Sequence, residues 1–148
     1  MTGKAQTART MRPQHRPPKD MYCPMLQVTD GCTHGKCKYC DIYTGIAFRP
    51  SPIQEIREDI AQIAKRATAL TRRIYLTGGN PFALSNRRLL EIFDEVERQI
   101  PTVNSYGGFC RILDIANKSD ADLAELAARG VDDVAIGVDD LVDDDLGL

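Results

Sequence analysis

Arg73-Ile74-Tyr75-Leu76-Thr77-Gly78-Gly79-Asn80-Pro81 is an apolar run cut off by glycines and a proline, which reads as a strand ending in a turn. Ser85 then stands as a helix N-cap. Leu89, Phe93, Val96 and Ile100 follow at spacings of three and four, which makes one apolar helix face. Strand, turn and helix in that order form one βα unit. The same unit recurs on both sides. Upstream, Met25-Leu26-Gln27-Val28-Thr29 reads as a strand ended by Asp30-Gly31, and a loop rich in glycine and cysteine runs to about Pro50. Ser51-Pro52-Ile53-Gln54 predicts a helix start with Ser51 as cap, followed by Ile53, Ile56, Ile60, Ile63 and Ala67 on one face. Downstream, Thr102 to Tyr106 predicts a third strand running into Gly107-Gly108. Ser119 and Asp122 form a capping box for a helix with Leu123, Leu126 and Ala127, closed at Gly130. Val131 to Val138 predicts the fourth strand.

The strand starts fall near 25, 73, 102 and 131, so the last two intervals are 29 residues each, the size of a βα unit. The cysteine loop lengthens the first interval. Alternating strands and helices predict an α/β fold with a parallel sheet covered by helices. Ligands of such sheets sit beyond the carboxyl ends of the strands. The unusual residues gather there: the cysteine loop, Gly78-Gly79-Asn80-Pro81, Ser105-Tyr106-Gly107-Gly108 and Gly137-Val138-Asp139-Asp140.

The chain has 148 residues, enough for one domain, and its 43% apolar and 27% charged residues exclude a collagen-like or wholly disordered polymer. No run of 18 apolar residues exists, and the first 20 residues lack the apolar core of a secretory signal, so a soluble cytoplasmic protein is expected. Charge is uneven. Residues 1–24 carry Lys4, Arg9, Arg12, Arg16 and Lys19 against Asp20 alone, while residues 131–148 carry seven aspartates and no base. A basic arm can contact nucleic acid, but Pro13, Pro17 and Pro18 favour the reading of a solvated, disordered arm over residues 1–24.

Five cysteines stand at 23, 32, 37, 40 and 110. Three within nine residues, in the pattern Cys32-x4-Cys37-x2-Cys40, point to metal chemistry in a reducing compartment rather than to disulfides. Lys36 and Lys38 favour thiolate. Three thiolates can hold an iron–sulfur cluster with one iron left open, whereas zinc would need a fourth ligand. His34 lies one residue from Cys32, awkward for a shared tetrahedral ion. Cys23 precedes the first strand and falls at its far end. Cys110 follows the third strand and keeps a four-ligand site open.

The triad, the Gly-Gly-Asn turn and the order of the units together resemble the radical S-adenosylmethionine (radical SAM) superfamily over about residues 25–141. The sequence around the triad, Val28-Thr29-Asp30-Gly31-Cys32 through Tyr39-Cys40-Asp41-Ile42-Tyr43, is similar to a subgroup with the longer first gap. The resemblance implies a partial (β/α) barrel. It also implies a [4Fe–4S] cluster on Cys32, Cys37 and Cys40, with S-adenosylmethionine on the open iron. Reductive cleavage would give methionine and a 5′-deoxyadenosyl radical, with electrons from a small donor such as a flavodoxin or ferredoxin.

Carried over residue by residue, the resemblance places Tyr39 near the adenine, where the alternative is a loop-anchoring aromatic. Gly78, Gly79 and Asn80 match the family's Gly-Gly-Glu motif, whose backbone carbonyls meet the methionine ammonium, with the acid replaced by a neutral amide. Ser105, read at the end of strand three, is a candidate for the cofactor's ribose or carboxylate. Asp139 is a candidate acceptor for ribose hydroxyls, or one member of a solvated acidic tail. No residue is assigned to the substrate or to catalysis beyond the cofactors. The family's barrel has six units and this chain supplies about four. Residues 25–148 therefore read as a truncated core domain, either part of a working radical SAM enzyme or an inactive fragment of one. The alternative class is a non-catalytic zinc or iron–sulfur module contacting nucleic acid or a partner protein.

Overall fold

The computed structural model describes residues 16–35, 40 and 42–137. Cys37, Tyr39 and Asp139 lie outside the described residues, as do residues 1–15 of the expected arm and the aspartates beyond residue 137.

Four parallel strands form the sheet in the order β1 (Met25–Gln27), β4 (Arg73–Thr77), β5 (Ser105–Cys110), β6 (Val131–Ile136). Helices α1 (Ile53–Ala64), α2 (Asn86–Gln99) and α4 (Asp120–Ala128) alternate with them, as in part of a (β/α) barrel. A short helix α3 (Ile112–Ala116) follows β5. Period-two alternation sorts the strand residues onto two faces. Leu26, Ile74, Leu76, Tyr106 and Cys110 join Ile56, Ile60, Leu89, Phe93 and Val96 in the core between sheet and helices. Phe93 stacks on Tyr106 with ring centroids 4.0 Å apart. Each fully buried side chain of this size contributes about 1.5–3 kcal/mol. The opposite face carries Arg73, Tyr75 and Phe109, the last two in edge-to-face contact at 5.9 Å.

The helix starts follow their caps, with one correction. Ser85 accepts from the Arg88 N–H at 3.3 Å, and Ser119 exchanges bonds with Asp122. Ser51 does not cap α1. Pro52 holds the cap position, and buried Ser51 instead donates its N–H to Val28 and accepts from Arg88 Nη2 at 2.8 Å, tying α1 to β1 and α2.

The first strand is broken. β1 ends at Gln27, and Thr29–Asp30 (β2) leaves the sheet to pair antiparallel with Arg49–Pro50 (β3). An Asp30–Arg49 ion pair reinforces this two-rung ladder. It closes the base of the cysteine loop, so residues 31–48 leave and return at one fixed point.

The third strand is shifted. It runs from Ser105 to Cys110, not from 102 to 106, and Gly107-Gly108 lie inside it. A glycine inside a strand marks a close approach. A Cβ at Gly107 would collide with the Arg73 guanidinium, and one at Gly108 would press on Leu76 and Phe82. The shift moves Ser105 to the opposite end of the sheet.

Residues 16–24, the described part of the expected arm, lie against the sheet. Pro18–Asp20 forms a single turn of 3-10 helix, and Asp20, 2% exposed, is buried against the amino ends of the strands, where it accepts from Arg73 Nε at 2.7 Å. Arg73 also donates to Ser105 Oγ at 2.6 Å and pairs with Asp132 and Asp133. Cys23 belongs to this end as expected, its thiol donating to Asp20 Oδ1. Burial and the Asp20 charge push that thiol above its ordinary value.

Cys110 closes β5 and is buried in the core, with its thiol pushed up to about 11, first by burial and then by the Asp114 charge. A thiol pKa raised on folding adds stability that is complete below the unfolded value of 9.0 and lost as pH rises towards about 11. Cys110→Ala is expected to cost about 1 kcal/mol at pH 7 through the small cavity it leaves. That deficit should shrink in urea titrations between pH 9 and pH 10.5. Parallel loss in both proteins would show that the thiol stays neutral in neither state.

Candidate cofactor and metal site

The site lies at the carboxyl ends of β1, β4 and β5, where three βα loops meet. From β1 the chain passes Thr29 and Asp30 to Gly31, whose φ of +66° and contacts with the Ile46 and Ala47 carbonyls suit only glycine. Cys32 follows, half-buried, and Cys40 is exposed further along the same loop. The turn after β4 presses directly against this segment. A Cβ on Gly78 (φ +119°) would collide with Thr29, and one on Gly79 with the Gly31 carbonyl and the Cys32 Cα. The two glycines therefore let the cysteine loop sit on the end of β4.

Gly79→Ala is expected to displace the Gly31–Cys32 backbone, because every atom its Cβ meets is backbone and cannot rotate away. The cost should be about 2 kcal/mol or more, in the range for overpacking. Urea denaturation measures it, and a change under about 0.5 kcal/mol, the size of an ordinary surface substitution, would contradict the close approach.

Asn80 is 2% exposed, and both its amide oxygen and its amide nitrogen are hydrogen-bonded. Its Oδ1 accepts from Cys32 Sγ and from the Thr33 N–H, both at 3.0 Å. Its Nδ2 donates to Asp114 Oδ2 at 3.1 Å. Asp114, in α3, also accepts from the Arg111 N–H at 3.1 Å. Sequence reasoning missed both Asp114 and α3. The helix has only five residues and so shows no periodicity, and the Arg111-to-Asp114 spacing of a helix first turn was the one available signal.

The sequence candidates are thus partly assembled. Cys32, Gly78, Gly79 and Asn80 come together, with Cys40 on the same loop. Ser105 does not join them. It begins β5 rather than ending it, and its hydroxyl donates to Asp132 at 2.7 Å at the amino ends of the strands. Cys110 points into the core between sheet and helices, which removes it as a fourth ligand to the loop. Among the described residues Cys23, Cys32, Cys40 and Cys110 are all free thiols, and no three His, Cys, Asp or Glu side chains converge on a metal-sized point. Two of the triad are among those residues. As soft thiol donors on an accessible loop with a fixed base, Cys32 and Cys40 fit an iron–sulfur cluster or zinc. Among the described residues, no helix is long and apolar enough to cross a membrane.

No curated protein and no solved structure matches the chain. The family model of the radical SAM superfamily matches residues 26–146, a span that includes the cysteine loop, the Gly-Gly-Asn turn and the four parallel strands apart from Met25. The chain belongs to the radical SAM superfamily.

Proposed function

We propose that this chain holds a [4Fe–4S] cluster on Cys32, Cys37 and Cys40 and binds S-adenosylmethionine at the iron those thiolates leave open. The observation that carries the reading is the placement of the cysteine loop at the carboxyl ends of the strands in a chain of this family. Cluster and S-adenosylmethionine together would supply a 5′-deoxyadenosyl radical that takes a hydrogen atom from a substrate.

The protein's own part is to bind and orient. The β2–β3 ladder fixes where the loop leaves and returns, and Gly78 and Gly79 set its height above β4. The Asn80 side chain is occupied by the loop and by Asp114, so an approaching ammonium would meet backbone carbonyls of the turn rather than the amide. Tyr39 against the adenine and Asp139 on the ribose hydroxyls complete the proposed cofactor set; Ser105 has no part in it. The core domain is proposed to span residues 25–148, with residues 16–24 packed beneath the sheet. A flavodoxin- or ferredoxin-like donor in a reducing, cytoplasmic setting would keep the thiols free and deliver the electron.

Anaerobic reconstitution with iron and sulfide tests the reading. The expected product is brown, with iron and sulfide bound in equal amounts, and forms 5′-deoxyadenosine when given S-adenosylmethionine and dithionite. A colourless protein that takes up zinc and no sulfide would overturn it in favour of a non-catalytic zinc module.

A further inference from the structure

Asn80 stands where an acid is expected from the family's motif, and the structure gives that amide a task no acid could perform beside Asp114. It must accept on one side and donate on the other. Oδ1 takes two donors from the cysteine loop, Cys32 Sγ and the Thr33 N–H, while Nδ2 faces the Asp114 carboxylate. A carboxylate at position 80 would meet Asp114 with like charge at hydrogen-bond distance. Asp114 is held in turn by the Arg111 N–H at the start of α3. The bonds thus run from the loop after β1, through the turn after β4, to the helix after β5.

We propose that Asn80 and Asp114 are positioning residues that act as a strut, fixing Cys32 in the metal-free protein and setting the surroundings of the cluster in the loaded one. The cluster half of this statement rests on the function proposed above. The loop half does not. Asn80 is almost fully buried, so its bonds form away from competing water, where a pair of satisfied polar groups holds geometry most firmly. The Thr33 bond comes from a backbone N–H and remains available when Cys32 takes a metal. Partners of this kind, one step removed from a metal ligand, orient the ligand and tune the site.

The test compares Asn80→Ala, Asp114→Ala and Asp114→Asn. In Asp114→Asn the amide oxygen can take the place of Oδ2, the one atom that receives both the Asn80 amide and the Arg111 N–H, so the strut is kept without its charge. In the metal-free protein, alkylation of Cys32 relative to Cys40 is followed by mass spectrometry. N80A and D114A should raise the Cys32 rate by about fivefold, the factor one lost hydrogen bond carries, and D114N should stay near the wild-type rate. In the reconstituted protein, N80A should lower cluster content by about tenfold. D114N should keep that content with a less negative reduction potential, since a negative charge near the cluster is removed. An unchanged Cys32 rate in N80A, or a D114N protein no better than D114A, overturns the strut whether or not a cluster forms. A wild-type protein that takes up no sulfide overturns the proposed function and leaves the alkylation result to decide the strut. If N80A fails to fold, the comparison of D114A with D114N decides it alone.

Discussion

Replacing Cys32, Cys37 or Cys40 singly by Ala abolishes retention of iron and sulfide on reconstitution, and Cys23→Ala leaves it at the wild-type level. This outcome is expected because a cluster held by two thiolates is not stable, and because the other cysteines face elsewhere. Cys23 sits at the amino ends of the strands beside Asp20, separated from the loop by the length of the sheet. Cys110 is at the right end but on the wrong face, packed in the core with Tyr106 and Leu126. Cys110→Ala should therefore lose stability yet keep its cluster. Iron and sulfide analysis of the five variants checks all of this together. Loss of iron from Cys23→Ala as complete as from Cys37→Ala would demand a different ligand set.

Where the sequence was legible, the information was local. α2 is marked by Ser85 at its cap and by Leu89, Phe93 and Val96 on one face, and all four do what that pattern says. The parallel order of strands follows from alternation alone. Where it was not legible, the cause lay far away in the chain. Gly107-Gly108 looks the same in sequence whether it ends a strand or lies within one. What decides is pairing with distant residues, since Gly107 and Gly108 sit in register with Tyr75 and Leu76 of β4 and with Asp133 and Val134 of β6. That one misplacement carried Ser105 to the wrong end of the sheet. Asn80 lies beside the cysteine loop, but its partners Thr33 and Asp114 are 47 and 34 residues away and cannot be inferred from spacing. Asp20 was the single acid in a basic segment, and only the fold reveals Arg73 as its reason.

That pairing gives the largest expected effect on stability. Arg73→Met should cost about 3–5 kcal/mol, the range for removing one partner of a buried ion pair. Asp20 has a side chain only 3% exposed, and without Arg73 it would be a buried carboxylate facing Asp132 and Asp133. Methionine keeps most of the side chain's length, so the loss reports charge more than volume. The exposed member behaves differently. Asp132 is 57% exposed, and Asp132→Asn should cost no more than about 1 kcal/mol. Burial works against the ionised Asp132, but the Ser105 hydroxyl and the Arg73 guanidinium outweigh it and hold the carboxyl below its ordinary 3.8. Its small contribution is therefore present above pH 4 and lost as pH falls below that value. The decisive comparison is Arg73→Met against the double variant R73M/D20L. Removing both charges leaves no unpaired buried ion, so the double variant should be more stable than Arg73→Met alone. A net stability of about 5–15 kcal/mol for a domain makes either difference easy to read by urea denaturation. If Arg73→Met lies within about 1 kcal/mol of wild type, the value of an exposed pair, the amino ends of the strands are open to water and residues 16–24 do not seal them.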